Sequence, residues 1–204
     1  MRKIRLVLIV TLTIAYLMLA IKFFTLYNAD VLFERADDLL SEGEIALSLE
    51  RMNRAVEKNP NEPIYYRGRA KAYLSATVNQ DMETEAVLKK LALADLEKAY
   101  SLNPKNLATL RNSVPLYYFL TVDDLSRSGN PQNVDTEFLP YTIDYYRRVE
   151  SIAGNDVGIY VLLAKYRNKL GLEQDTLNAL ERIRELRPDL LDWHDSLRDI
   201  NVGL

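Results

Sequence analysis

The chain predicts an all-α protein in which a row of helix pairs follows one membrane-spanning helix, and three observations carry that expectation. The first is a phrase written three times, a helical run that closes on a proline turn and passes at once into another helix. It reads Ala55-Val56-Glu57-Lys58-Asn59-Pro60-Asn61-Glu62, then Ala99-Tyr100-Ser101-Leu102-Asn103-Pro104-Lys105-Asn106, then Ile183-Arg184-Glu185-Leu186-Arg187-Pro188-Asp189. Such recurrence marks a helical repeat array, because each helix pair buries its apolar face only by stacking on a neighbour. The second is apolar spacing. Val31, Leu32, Ala36, Leu39 and Leu40 fall at helical intervals, as do Leu47, Met52, Ala55 and Val56, and again Leu88, Leu91, Ala92, Leu96 and Ala99, with no convincing strand pattern between them. The third is an apolar N-terminus of membrane-spanning length.

That N-terminal element comes first in the chain. Residues 6–26 are apolar but for Thr11, Thr13, Tyr16, Lys22 and Thr25. At 1.5 Å per residue they reach about 30 Å, the thickness of a bilayer's hydrocarbon core. Lys22 lies one turn from the far end, where its stem can snorkel to the headgroups, and Tyr27 suits the interface. A cleaved signal peptide needs small residues before the cut, and the best candidate, Met18-Leu19-Ala20, has the wrong residue at its first position. An uncleaved anchor over residues 1–28 is therefore expected. The alternative is cleavage to a soluble periplasmic chaperone or binding protein. Arg2, Lys3 and Arg5 precede the span, whereas residues 28–42 offer only Arg35 among several acids, so the positive-inside rule keeps the N-terminus cytoplasmic. The folded part is then outside, in the periplasm or at the exterior of a bacterium; no Asn-x-Ser/Thr sequon favours a glycosylated ectodomain.

Composition limits what the rest can do. The 204 residues are 48% hydrophobic and 27% charged, which suits one folded domain. The anchor takes 4 of the 26 basic residues and none of the 29 acids, leaving the remainder at about −7. A net acidic domain is a poor ligand for phosphate backbones, so nucleic acid is excluded as a partner. There is no cysteine, hence no disulfide, thiolate chemistry or cysteine metal site.

The phrases divide residues 29–190 into four units, at 29–62, 63–106, 107–156 and 157–190. The first supplies Leu32, Ala36, Leu39, Gly43, Met52, Ala55 and Pro60, with Arg35 and Ser48 out of pattern. The second supplies Tyr66, Ala70, Tyr73, Ala92, Leu96, Ala99 and Pro104, and its ten surplus residues imply a wider turn and a long second helix beginning at Asn79 or Asp81, either of which can cap it. The third has Leu110, Val114 and Tyr117, then Tyr146, Val149 and Gly154, and 16 surplus residues. These include the polar stretch 123–135, with Ser126, Ser128, Gly129 and Pro131, which reads as a surface loop. Pro115 falls inside its first helix and should kink it near Arg111. The fourth has Tyr160, Leu163, Ala164, Gly171, Leu180 and Pro188, with Arg167 and Thr176 out of pattern. Gly43 and Gly171 stand where a helix C-terminus wants a residue tolerant of positive φ. Residues 191–204 form a capping helix and tail, with Leu190, Leu191, Trp193, Leu197 and Ile200 on one side of the final helix.

These lengths and positions resemble the tetratricopeptide repeat (TPR), a 34-residue helix-turn-helix unit with a large residue near the start of its first helix, small residues at the close contacts and a proline ending its second. The resemblance covers residues 29–190 and implies a right-handed α-solenoid of about four helix pairs. In that family ligands lie on the concave surface lined by the first helices. Carrying the inward positions over gives Arg67, Lys71 and Leu74 in the second unit, Arg111, Asn112 and Tyr118 in the third, and Val161, Lys165, Asn168 and Lys169 in the fourth. Of these, Arg67, Lys71, Arg111, Asn112, Tyr118, Lys165, Asn168 and Lys169 are the expected peptide-binding residues. Their basic and amide groups suit a peptide's C-terminal carboxylate or an acidic segment. The competing reading is a solvated helix face, and Asp37 interrupts the basic row.

Other features point to packing. Tyr141, Tyr145 and Tyr146 beside Arg147 and Arg148 fall at helical spacing, as core aromatics do. His194 is the only histidine, next to Trp193, and a lone histidine without a second ligand makes a poor metal site. No phosphate loop, nucleophile elbow or histidine pair is present, so neither an enzyme nor a cofactor is expected. The reading is a single-pass membrane-anchored adaptor for a protein or peptide, in envelope assembly, secretion or complex organisation.

Overall fold

The computed structural model describes residues 2–194 together with Leu197 and Ile200. Among them nine α-helices follow in order: α1 (Arg2–Ser41), α2 (Ile45–Lys58), α3 (Pro63–Ala76), α4 (Met82–Leu102), α5 (Leu107–Thr121), α6 (Leu139–Ala153), α7 (Val157–Lys169), α8 (Glu173–Leu186) and α9 (Asp189–Trp193). A 3-10 turn, Leu125–Arg127, lies between α5 and α6. No strand forms among the described residues, only an isolated antiparallel bridge between Val122 and Val134. The all-helical expectation holds.

Local chemistry sets the helix ends. Of the two candidate caps before the long α4, Asp81 is the one used, its carboxylate accepting from the Thr84 N–H at 2.9 Å. Glu62, Asn106 and Asp156 cap α3, α5 and α7 in the same way, and Pro63 fills the first position of α3, where a missing N–H costs nothing. Gly43 and Gly171 take φ of +86° and +70°, closing the α1–α2 and α7–α8 turns as their positions predict.

One boundary differs from the sequence reading. The anchor and the first helix of the first unit, divided there between residues 28 and 29, are a single 40-residue helix. Nothing between Leu26 and Asp30 breaks a helix, so it continues. Residues 4–24 are exposed along their whole length, with Ile4, Tyr16 and Phe24 each more than 65% exposed. From Ala29, which is fully buried, the same helix enters the core. The part from Ile4 onward is long and apolar enough to cross a membrane.

Each even-numbered helix from α2 to α8 packs on the helix before it, and α1, α3, α5 and α7 also touch in succession. The direction of each packing follows from its contacts. Tyr65 donates to Asp30, Phe33 lies against Gly68, and Lys71 reaches Asp37, so α1 and α3 run parallel, offset by 34 to 35 residues. Arg111 lies beside Gly158 and the Tyr118 ring meets the Tyr166 ring, so α5 and α7 run parallel too. The second helices run back. Ser48 donates to the Ala36 carbonyl at 2.7 Å, and Ala55 clusters with Ala29. Ser48, out of pattern in sequence, is fully buried there and has spent its hydroxyl on the facing helix.

The main core spans α3 to α9, and two smaller clusters join α1 to α2 and α3. Leu47 and Leu91, read as core by spacing, are 47% and 43% exposed; the inward positions beside them belong to Ser48 and Ala92, whose small side chains permit close helix contact. Helix α5 continues through Pro115 without a break. Around it α6 supplies hydroxyls to the α5 backbone: Tyr145 to the Leu110 carbonyl at 3.0 Å, Tyr146 to Val114 at 3.1 Å and Thr142 to Tyr117 at 2.9 Å. Helix α9 ends at Trp193, and Leu190 and Leu197 bury against the main core, while residues 195, 196, 198 and 199 of the expected capping segment lie outside the described residues. The Trp193 side chain and the tail at 201–204 lie outside the described residues.

Candidate functional site

The face formed by α3, α5 and α7 carries the residues expected to bind a peptide, and the structure sorts them. Asn112 is exposed on α5. Lys71 and Arg111 are exposed but paired: Lys71 Nζ is 3.1 Å from Asp37, and Arg111 Nη2 meets both oxygens of Asp156 at 2.7 and 2.8 Å. Both pairs lie at the surface, where solvent screens them and their strength is small. Gly158 makes room for the second, since a Cβ there would come within 3.0 Å of the Arg111 guanidinium.

Arg67 is partly covered and forms no ion pair among the described residues. Burial pushes its guanidinium below its ordinary value, with nearby Glu62 and Asp37 opposing. Lys165, Asn168 and Lys169 are also partly covered. Lys169 Nζ stands 5.4 Å from the Tyr118 ring centre and 5.8 Å from that of Tyr166, and Lys165 Nζ stands 5.6 Å from Tyr166. Neither lysine meets a carboxylate among the described residues. Tyr118 itself is 1% exposed, its hydroxyl accepting the Gly129 N–H, so it supports Lys169 from beneath rather than offering a contact of its own.

Between α3 and α5 the face opens into a cavity of about 350 Å³ lined by Leu74, Pro115, Leu116, Phe119 and Leu125, with Lys71 and Ser75 at its rim. Lys71 and Pro115, which both line it, are 44 residues apart, the length of the second unit. The sequence reading places Leu74 on the inward face but takes Pro115 only as a helix disruptor and assigns Leu125 to a polar loop, so it finds one residue of this apolar lining. A signal was present: Leu116 and Phe119 lie off the stripe made by Leu110, Val114 and Tyr117.

The loop that brings Leu125 to the cavity is held by a buried lysine. Lys89 Nζ donates to the Val122 carbonyl at 2.9 Å and meets Asp135 at 2.9 Å and Glu85 at 2.7 Å, using all three of its protons. Asn133, also buried, exchanges hydrogen bonds with the Asp124 backbone, at 2.9 Å from its N–H and 2.6 Å to its carbonyl. The stretch read as a surface loop is thus a pinned excursion with polar groups on both its exposed and its buried sides.

The remaining charged groups brace the helices. Arg69 grips Asp95 through two bonds of 2.7 Å and reaches Asn53 at 2.8 Å. Glu97 receives Arg148 at 2.6 Å and the Tyr117 hydroxyl at 2.7 Å. Burial works against the Glu97 carboxylate, yet the Arg148 and Tyr117 hydrogen bonds hold it below the ordinary glutamate value. Tyr117 is pushed up, first by burial and then by that same carboxylate. Tyr145 and Tyr146 are core residues, Tyr145 stacked on Tyr117 at 3.8 Å between ring centres, while Tyr141 is half-exposed. Arg167, out of pattern in the sequence, is buried against Glu150 at 2.8 Å. Among the described residues no cluster of three His, Asp or Glu side chains could hold a metal ion.

The chain is thus an all-helical protein with one N-terminal helix long and apolar enough to span a membrane. No protein-family model matches it, and no curated protein matches it.

Proposed function

We propose that this protein is a non-enzymatic adaptor, held in a membrane by the apolar part of α1, that binds a protein or peptide segment on the face of α3, α5 and α7. Its roles on this reading are envelope assembly, secretion or complex organisation. The observation that carries the proposal is the cavity between α3 and α5. Its lining is apolar, its size suits one large side chain, and it opens on a face where Arg67, Lys165 and Lys169 stand without carboxylate partners among the described residues. An apolar anchor flanked by acidic groups complements that arrangement.

The parallel packing of α1 on α3, offset by 34 to 35 residues, and of α5 on α7 supports a right-handed TPR-like solenoid, because such units stack helix on equivalent helix. Exposure of the apolar residues 4–24 supports the anchor, since so much greasy surface has no stable place in water. Arg2, Lys3 and Arg5 favour a cytoplasmic N-terminus with the helical domain outside.

The test is capture from a crosslinked membrane extract by the full-length protein and two variants. Phe119→Asp places a charge in the cavity, and Lys165→Glu with Lys169→Glu reverses the charge that α7 brings to the same face. A specific protein held by the parent, and reduced at least about tenfold by either variant, is the expected result; 1.4 kcal/mol of lost contact is enough for that. Equal retention by all three proteins overturns the proposal.

A further inference from the structure

The continuity of α1 fixes how the helical domain stands on its membrane. Asp30 to Tyr65, Phe33 to Gly68 and Asp37 to Lys71 form three contacts in nearly one register, so α3 is bound to α1 over residues 65–71. Phe33 also stacks on Tyr65, with ring centres 5.0 Å apart. No linker separates the apolar stretch from this junction, because one unbroken helix carries both. We infer that the turn at residues 59–62 lies against the lipid headgroups, while the turn at residues 77–81 is held away from them.

The argument is a matter of register. By the offset of 35, Pro63, the first residue of α3, is level with Asn28, two residues beyond Leu26, where the apolar stretch ends, and the turn at 59–62 lies just before it. The last residue of α3, Ala76, is level with Ser41, fifteen residues and about 22 Å beyond Leu26 along α1. Neighbouring helix axes lie about 8 to 10 Å apart. A typical tilt of about 20° therefore displaces α3 along the membrane normal by roughly 3 Å, far less than the separation of the two turns. The groups near the membrane-side turn, Lys58, Asn59, Asn61 and Glu62, are polar and suit a headgroup layer. The cavity, formed by the later halves of α3 and α5, then opens about 20 Å above the lipid, within reach of a soluble segment and clear of the bilayer. This inference rests on the anchoring proposed above, and its test separates the two.

The chain has no cysteine, so single cysteines can be labelled cleanly. The full-length protein is reconstituted into phosphatidylcholine vesicles with an environment-sensitive fluorophore at Ile14→Cys, Asn61→Cys or Gln80→Cys, all exposed positions. Quenchers are carried on lipid acyl chains or on headgroups. Acyl quenching at position 14, with headgroup quenching at least threefold stronger at position 61 than at position 80, is the expected result. Insertion of Gly-Pro-Gly between Tyr27 and Asn28 should remove the difference between 61 and 80 and leave position 14 unchanged. Absence of acyl quenching at position 14 overturns the anchor, and this inference with it. Quenching at position 14 with equal values at 61 and 80, or the reverse order, overturns the inference alone.

Discussion

Replacing Gly68 by alanine tests the junction between α1 and α3 most directly. Its backbone is helical, with no positive φ to strain a side chain, so alanine acts here through space and through helix propensity. A Cβ at this position would stand 2.4 Å from Phe33 Cε2 and 2.7 Å from Cζ, with the Met52 methyl at 3.6 Å behind. The stacking of the ring on Tyr65 limits its retreat. Overpacking of this kind costs about 2 to 3 kcal/mol, against which alanine in a helix gains about 1. The expected net loss is about 1 to 2 kcal/mol, and at this chain length each kilocalorie lowers Tm by about 2 to 4 °C. Thermal unfolding of the full chain in detergent, followed by circular dichroism, gives the number. The same substitution in a Phe33→Ala background meets no ring, so there it should stabilise by about 1 kcal/mol. A stabilising effect of the same size in both backgrounds refutes the reasoning.

Lys89→Met removes the pin on residues 122–138 while keeping the stem's volume; trypsin should then cleave after the exposed Arg127 several-fold faster, with the helix content unchanged. The Glu97 carboxylate has a lowered value in the fold, so the unfolded chain binds its proton first as pH falls. Its contribution to stability is thus present above the ordinary glutamate range, near about 4.3, and is lost below it. Urea titrations at pH 7 and pH 3.5 should show a smaller acid-dependent loss for Glu97→Gln than for the parent.

Much of the fold was legible because its signals are local. Asp81, Gly43 and Gly171 each act within one turn of backbone, and their positions alone located helix ends. The repeat phrase gave the pairing of helices for the same reason. What escaped depended on partners distant in sequence. Arg167 is buried only because Glu150, on the preceding helix, is there to receive it, and Lys89 only because the loop folds back with Asp135. Among the expected site residues, Tyr118 was placed by register alone, and register cannot reveal that Gly129 would cover its hydroxyl. The cavity residues Leu116 and Phe119 look like surplus apolar positions until α3 is set beside them. The unbroken α1 was readable in principle, since residues 26–30 contain neither glycine nor proline, but a change of composition was taken for a change of element.

The three hydroxyls that α6 lends to α5 have a consequence for how the molecule opens. A helix ordinarily frays by itself, one turn at a time, because its backbone bonds are its own. Around Pro115 the backbone carbonyls of Leu110, Val114 and Tyr117 also belong to the neighbouring helix. Loosening α6 strips hydrogen bonds from α5, and loosening α5 leaves Thr142, Tyr145 and Tyr146 with buried hydroxyls to satisfy. The two helices therefore open and close as one cooperative unit, and the wall of the cavity rises and falls with both.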